Sequence, residues 1–495
     1  MRKNQDARLS SKLGLCVFVV GFAIMAVEIS GARLLQPYFG DTLFTWTSSI
    51  SVILAALGIG YYLGGLLSEG RAEFRVLAVM VFTAALLISL IPFVSGITLR
   101  ASLGFGYELG PLVACVFLFG LPNVLLGIVA PYAVRLNTHV VESVGSSAGN
   151  LYAISTFGGI LGALLSGYLM IPYIGLSESF FVVGFALGVT GVMLYGIRSA
   201  LVMVALLVVA LLPVASPYAG MNPVYQADTP YYSIAVLNSQ NGIVLLTSLL
   251  GIQTVKDASA LNTYYPYQRI LYNGTAKVSA LYLGLGGGTM AADLYKYQNA
   301  SIDIVEIDPV VISVAHRYFG LNDSGRIKIY NQDARSFLRS YSSRYNFIVL
   351  DTYGASQAGM PPQMVTIEAA AEMKNHLVQG GAVMINVVSP LSGQGSCTFK
   401  SVYKTFGSVF GHVYVFPLIP NNLSKVQNVE IIASESNYSP GYILGRLNNS
   451  VPANQTAWIE SGSYLDNFST TRCQILTDNK NPFEVYSAQT LGAIK

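Results

Sequence analysis

The chain has 495 residues, 53% of them hydrophobic and only 11% charged, with a formal net charge of +3. A soluble protein of average composition carries about 25% charge, so a wholly soluble globular protein, a disordered chain and a coiled coil are excluded. The small charge gives no footprint for nucleic acid, and four cysteines without a C-x-x-C pair exclude a zinc ribbon, so no metal is expected.

The apolar residues concentrate before residue 218. Seven stretches there are long enough to cross a bilayer, at about 13–35, 47–67, 75–97, 111–134, 149–173, 178–197 and 199–217. The first is long, lacks a small-residue cleavage pattern and is followed by further spans, which argues against a signal peptide. Pro213 and Pro217 close the last one. The glycine runs Gly58-Ile-Gly60, Gly64-Gly65 and Gly158-Gly159, continued by Gly162 and Gly167, predict close helix packing. Glu28 and Arg33 are charges inside the first span. They predict either an interhelical ion pair, with Arg33 able to reach the interface, or a polar ligand site.

These features predict a multi-pass cell-membrane protein with the bilayer as a partner. Arg2, Lys3, Arg8 and Lys12 sit in the N-terminal tail, and Arg71, Arg75, Arg135 and Arg198 in the loops on the same side. The positive-inside rule therefore places the N-terminus in the cytoplasm, and seven spans would leave the rest of the chain outside. Eight N-x-[ST] sequons, all after residue 217, lean the same way. So do Cys397 and Cys473, which could pair in an oxidising compartment.

The soluble part divides at about 275. In 218–275, Ser233–Leu237 and Ile243–Thr247 flank Asn241-Gly242, a strong hairpin signal. In 276–495 strands and helices alternate. A β run from Ser279 enters Gly284-Leu-Gly286-Gly287-Gly288-Thr289, and Met290–Tyr297 reads as a helix. Ile302–Asp308, Ile327–Tyr330, Phe347–Asp351 and Ala382–Val388 read as further strands, with a helix at about 309–319. This alternation predicts a parallel, doubly wound sheet with ligand at the carboxyl ends of its strands.

The acids fall at those ends. Glu306 lies 20 residues past Gly286, where a carboxylate accepts both ribose hydroxyls. Asp308, Asp333 and Asp351 stand at or just after strand ends. The glycines read GxGxG with Thr289 following, whereas a dinucleotide fingerprint would place glycine at 289. The spacing favours an adenosyl nucleoside without a pyrophosphate.

These segments resemble the spermidine synthase family of aminopropyltransferases, in the form fused to a multi-span membrane region. Tyr231-Tyr232-Ser-Ile-Ala-Val236 resembles its opening strand, and Leu245–Asp257 its second hairpin, with Gln253 in a Gly-x-Gln element. Tyr267-Gln268 resembles its Tyr-Gln pair, Gly286-Gly287-Gly288 its nucleoside loop and Val305-Glu306-Ile307-Asp308 its Val-Glu-Ile-Asp. Asp333-Ala334 resembles its adenine-side Asp. In the membrane half, 28–40, 151–159 and 167–175 resemble the fused form.

The resemblance implies an α-helical transmembrane bundle in 1–217, a small β subdomain in 218–275, and in 276–495 a Rossmann-like domain of the class I S-adenosylmethionine-dependent transferase type. It implies transfer of an aminopropyl group from decarboxylated S-adenosylmethionine to a small-molecule or lipid-linked amine, with no covalently bound cofactor. Gly284, Gly286, Gly287, Gly288, Glu306, Asp308, Asp333 and Ala334 would hold the nucleoside. Tyr267, Gln268 and Gln253 would line the amine side, with Asp351 and Tyr353 at the reacting centre. A homodimer is a further expectation, and no nucleic acid partner is expected.

Two departures stand out. Soluble members carry an Asp where Thr289 stands here, to hold the donor's amine. Their acidic loop reads Asp-x-x-Asp, where this chain has Asp351-Thr352-Tyr353-Gly354. An amine with pKa near 10 must lose a proton before it attacks, so a missing base matters. Tyr353, Asp293 or Glu368 would have to stand in. Two alternatives remain open: a methyltransferase using S-adenosylmethionine, and a non-catalytic membrane protein that binds or transports a ligand.

Overall fold

The structure is a computed structural model and describes residues 2–69, 72–137, 144–214, 216–218, 220–239, 242–248, 251–256, 264–271, 277–297, 299–322, 325–353, 359–447, 451–465 and 468–492. The chain divides into two compact units. One is Met1–Ala219 with Asp228–Pro230, and the other Gly220–Ala227 with Tyr231–Lys495.

The first unit is helical. Five stretches are long and apolar enough to cross a membrane: Ser10–Phe39, Leu43–Ser68, Phe74–Asn137, Gly145–Ile174 and Leu176–Tyr195. Phe74–Asn137 would be about 96 Å long as one straight helix at 1.5 Å per residue, some three times the hydrocarbon thickness. It breaks at Gly106, whose φ of +80° suits glycine, and its arms Phe74–Ser102 and Leu121–Asn137 pack on each other. The expected spans at 75–97 and 111–134 are these two arms.

The seventh expected span is shorter than the sequence suggested. Leu201–Leu211 has 11 helical residues, about 16 Å, or half of what a bilayer needs. Pro213 cannot donate to the helical ladder, and Leu212 is already extended.

The glycines explain the close packing. A Cβ on Gly158 would lie 2.0 Å from the Phe18 carbonyl oxygen, and one on Gly60 2.3 Å from that of Val124. Gly162 and Gly64 are as tightly placed, whereas Gly58, Gly65 and Gly167 have no described neighbour within 4 Å and serve another purpose or none. Arg33 donates to Gln36 Oε1 and to the carbonyls of Thr229 and Pro230.

The second unit holds two sheets. The smaller is formed by β1 (Pro223–Asp228), β2 (Ser233–Ser239), β3 (Gly242–Ser248) and β4 (Gly251–Val255), in that order. β2 and β3 pair antiparallel as the hairpin expected there, although Asn241 of its turn lies outside the described residues.

The larger sheet contains β5 (Val278–Leu283), β6 (Ala300–Glu306), β7 (Ile327–Asn331), β8 (Tyr345–Leu350), β9 (Leu377–Ser389), β10 (His412–Pro417) and β11 (Gln427–Ser434). Their order is β10-β11-β9-β8-β5-β6-β7. β5 to β9 are parallel, as the sequence predicts, while β11 and β10 add an antiparallel edge that it did not reveal. Successive residues feed opposite faces. Phe347 and Val349 enter one apolar cluster, Ile348 and Leu350 the other. Burying each such side chain contributes about 1.5–3 kcal/mol, so a register slip would be costly. Cys397 and Cys473 are joined by a disulfide that spans 76 positions.

Candidate active site

Strand register brings the acids together. Leu283 of β5 pairs with Val305 of β6 and Leu350 of β8, and Leu350 with Ile385 of β9. The next residues along, Gly284, Glu306, Asp351 and Asn386, therefore share the carboxyl edge of the sheet. The Gly284 N–H donates to the Val305 carbonyl at 2.9 Å, and the Asp351 N–H to the Leu283 carbonyl at 3.0 Å.

A small, partly open pocket lies at this edge. One wall is the glycine loop with Thr289 and Met290. The other holds Asp351, Tyr264, Tyr265, Gln253 and Thr254. Gly284 has φ +99°, and a Cβ there would lie 2.3 Å from the Asp351 carbonyl oxygen. Thr254 of β4 fixes the loop, since its hydroxyl accepts the Gly287 N–H at 2.9 Å.

Glu306 is buried and ties the loop to its own strand. Oε2 accepts the Leu285 N–H at 3.1 Å and Oε1 the Asp308 N–H at 2.9 Å. Burial raises its pKa to about 7, against the pull of those N–H groups. Asp308 and Asp333 are helix caps. Asp308 Oδ1 accepts the Val310 N–H and Asp333 Oδ1 the Ser336 N–H, both at 2.8 Å. Capping uses one oxygen of each, and Ala334 opens the helix after Asp333.

Asp351 is held from two sides. Asn386 Nδ2 donates to Oδ1 at 3.1 Å and the Tyr264 hydroxyl to Oδ2 at 3.2 Å. Burial raises its pKa, and these donors only partly offset it. A carboxylate of raised pKa is a better proton acceptor.

Several expected residues serve elsewhere. Tyr353 gives its hydroxyl to β9, donating to the Asn386 carbonyl at 3.0 Å and accepting the Val388 N–H at 2.6 Å. Burial lifts its pKa well above the ordinary tyrosine value. A raised pKa disfavours the phenolate, and both hydroxyl bonds go to the β9 backbone, so this setting supports a structural part for Tyr353 rather than the expected catalytic one. Tyr267 is buried, donates to Gln455 Oε1 at 2.8 Å and stacks on Phe416 at 4.9 Å. Gln268 is buried among Tyr282, Asp293 and Met290. Instead of that pair, Tyr264 and Tyr265 line the pocket, and Tyr265 shares a 2.6 Å hydrogen bond with Thr289 Oγ1. Gln253 does reach the pocket wall, donating to the Tyr353 carbonyl at 2.7 Å. Gly354 lies outside the described residues. Asp293 is held by Gln268 and pairs with Arg269, and Glu368 accepts the Asp478 N–H. Neither lines the pocket.

The spermine/spermidine synthase domain family matches residues 272–438. Polyamine aminopropyltransferase 2 of Aquifex aeolicus is 22% identical over 434 residues, covering 83% of this chain and 85% of its own. The polyamine aminopropyltransferase of Vibrio vulnificus is 29% identical over 262 residues, or 47% of this chain and 85% of its own. A probable spermidine synthase from Corynebacterium glutamicum aligns with 54% of this chain and 97% of its own, at 20% identity and a TM-score of 0.40. The chain carries a spermine/spermidine synthase domain.

Within that domain, one acid escaped the sequence reading. Glu430 on β11 is fully buried, and neither carboxyl oxygen has a described partner. The signal was there: a single glutamate inside the apolar strand Val429-Glu430-Ile431-Ile432 is rare without a partner or a task. Asn386, inside the apolar run of β9, was missed as well.

Proposed function

We propose that this domain is a membrane-attached aminopropyltransferase, which moves the aminopropyl group of decarboxylated S-adenosylmethionine to an amine. The observation that carries this reading is the pocket itself, which is lined by both the glycine loop and Asp351 at the carboxyl ends of β5 and β8. The amine lone pair attacks the carbon beside the sulfonium. The C–S bond breaks with its electrons on sulfur, methylthioadenosine leaves, and nitrogen loses one proton. Asp351, held by Asn386 and Tyr264, is the acceptor for that proton.

Charge selects the donor. Among the described lining residues there is no Lys or Arg, and the one charged group is Asp351. S-adenosylmethionine would bring a carboxylate to a wall with no cation to meet it. The decarboxylated donor brings only positive charge. This favours aminopropyl over methyl transfer on the same sheet.

The test is transfer itself. Detergent-purified protein is given decarboxylated S-adenosylmethionine and a panel of amines, and methylthioadenosine is followed by chromatography. Amine-dependent release supports the reading. No release with any amine rejects it.

The Cys397–Cys473 disulfide favours a second reading. Structural disulfides belong mostly to oxidising compartments, and a donor made in the cytoplasm is not supplied there. In that reading the domain faces outward and binds a ligand without transferring a group. A C-terminal reporter of membrane side separates the two.

A further inference from the structure

Glu430 lies in mid-strand with no exposed surface. Its partner across the β9–β11 ladder is Asn386, and directly opposed residues point to the same face of a sheet. The Asn386 amide nitrogen donates to Asp351 Oδ1, while its Oδ1 has no described partner. Three acceptor oxygens, Glu430 Oε1 and Oε2 and Asn386 Oδ1, are thus buried and unsatisfied beside an acid that lines the pocket.

A buried acid without a partner is costly and is kept for a reason. Burial and the nearby Asp351 push the Glu430 pKa well up, and with Glu430 ionised the unmet capacity is all acceptor, so the group that would hold it ionised is a donor. A primary ammonium offers three N–H donors and one positive charge. Neutral hydroxyl ligands would leave the two acids uncompensated.

We propose that Glu430, with Asp351 and Asn386, seats the primary ammonium of the acceptor amine. Glu430 thereby supplies from β11 the second acid that the loop lacks at Gly354. The inference rests on the aminopropyltransferase reading. The same ammonium chemistry exists on the donor's aminopropyl arm, and the test distinguishes the two sources. Electrostatics agree with the geometry: after burial, Asp351 raises the pKa of Glu430, and the pKa values of Tyr264, Tyr267 and Tyr353, raised mainly by burial, rise further because Glu430 is near.

The full chain in detergent is examined by thermal shift. Methylthioadenosine, which has no amine, should raise Tm in the wild type and in Glu430→Gln alike. With methylthioadenosine present, 1,4-diaminobutane should raise Tm further in the wild type, and Glu430→Gln should lose this second shift. Where transfer is measured, the diamine KM should rise at least about tenfold, while the donor Kd stays unchanged. Glu430→Met should raise the ligand-free Tm, because it removes a buried unpaired acid. A persisting diamine shift in Glu430→Gln overturns the proposal. So does a lost donor affinity with an unchanged diamine KM, or a lower Tm in Glu430→Met. A wild type that ignores methylthioadenosine overturns the nucleoside reading instead.

Discussion

Glu306 Oε2 accepts the Leu285 N–H at 3.1 Å, which ties the acid at the end of β6 to the glycine loop that follows β5. The carboxylate and the glycine loop are one hydrogen-bonded unit. A change in either moves both.

Glu306→Gln tests this unit. The amide keeps the shape but offers one acceptor where the carboxylate offered two, so one buried N–H loses its partner at a cost of about 1–3 kcal/mol. Methylthioadenosine binding should fall at least about a hundredfold, roughly the loss of two charge-assisted hydrogen bonds, while the circular dichroism spectrum is retained. Unchanged binding by calorimetry would place the nucleoside elsewhere.

The same residue sets a pH dependence. Its folded pKa of about 7 lies above the ordinary value of 4.5. A raised folded pKa adds stability below the unfolded pKa, and that stability is lost as pH rises from about 4.5 through 7. Ribose hydroxyls donate to the ionised form, so binding should tighten as pH rises through 7 and should release protons. Calorimetry at pH 6.5 in two buffers of different ionisation enthalpy reads that release. Proton uptake would contradict the account.

Tyr353→Phe separates structure from chemistry. The hydroxyl's two hydrogen bonds go to the β9 backbone. Its loss should lower stability by about 1–3 kcal/mol by leaving the Val388 N–H unpaired, with kcat changed less than about threefold. A base would show the reverse: unchanged Tm and a kcat lower by roughly 100-fold or more.

Much of this site was legible in the chain. The glycine run and Asp351 announce a pocket at the strand ends, and Glu306 a strand end beside the loop, because their positions follow from strand periodicity alone. Tyr264 and Tyr265 were not legible: they lie beside Tyr267-Gln268, and only the turn of the 3₁₀ helix Tyr265–Leu271 decides which aromatics face the pocket. Glu430 required the antiparallel edge of β10 and β11, which depends on contacts remote in sequence. The length of the seventh apolar helix escaped hydropathy, because Leu212, Pro213 and Val214 are apolar without being helical.

The disulfide makes its own prediction. Closing a loop of 76 positions should stabilise by roughly 4 kcal/mol in the chain-entropy estimate. Reductant, or Cys397→Ser with Cys473→Ser, should lower Tm by several degrees. In freshly isolated membranes both thiols should resist alkylation until reduced. Free thiols in those membranes would remove the argument for an oxidising side.

The most direct measurement is calorimetric binding of the detergent-purified protein to decarboxylated S-adenosylmethionine, S-adenosylmethionine and methylthioadenosine. The account predicts binding of the decarboxylated donor at least about tenfold tighter than the carboxylated one, because no cation stands among the described lining residues to meet a carboxylate. Preference for S-adenosylmethionine, or no binding of any of the three, would contradict it.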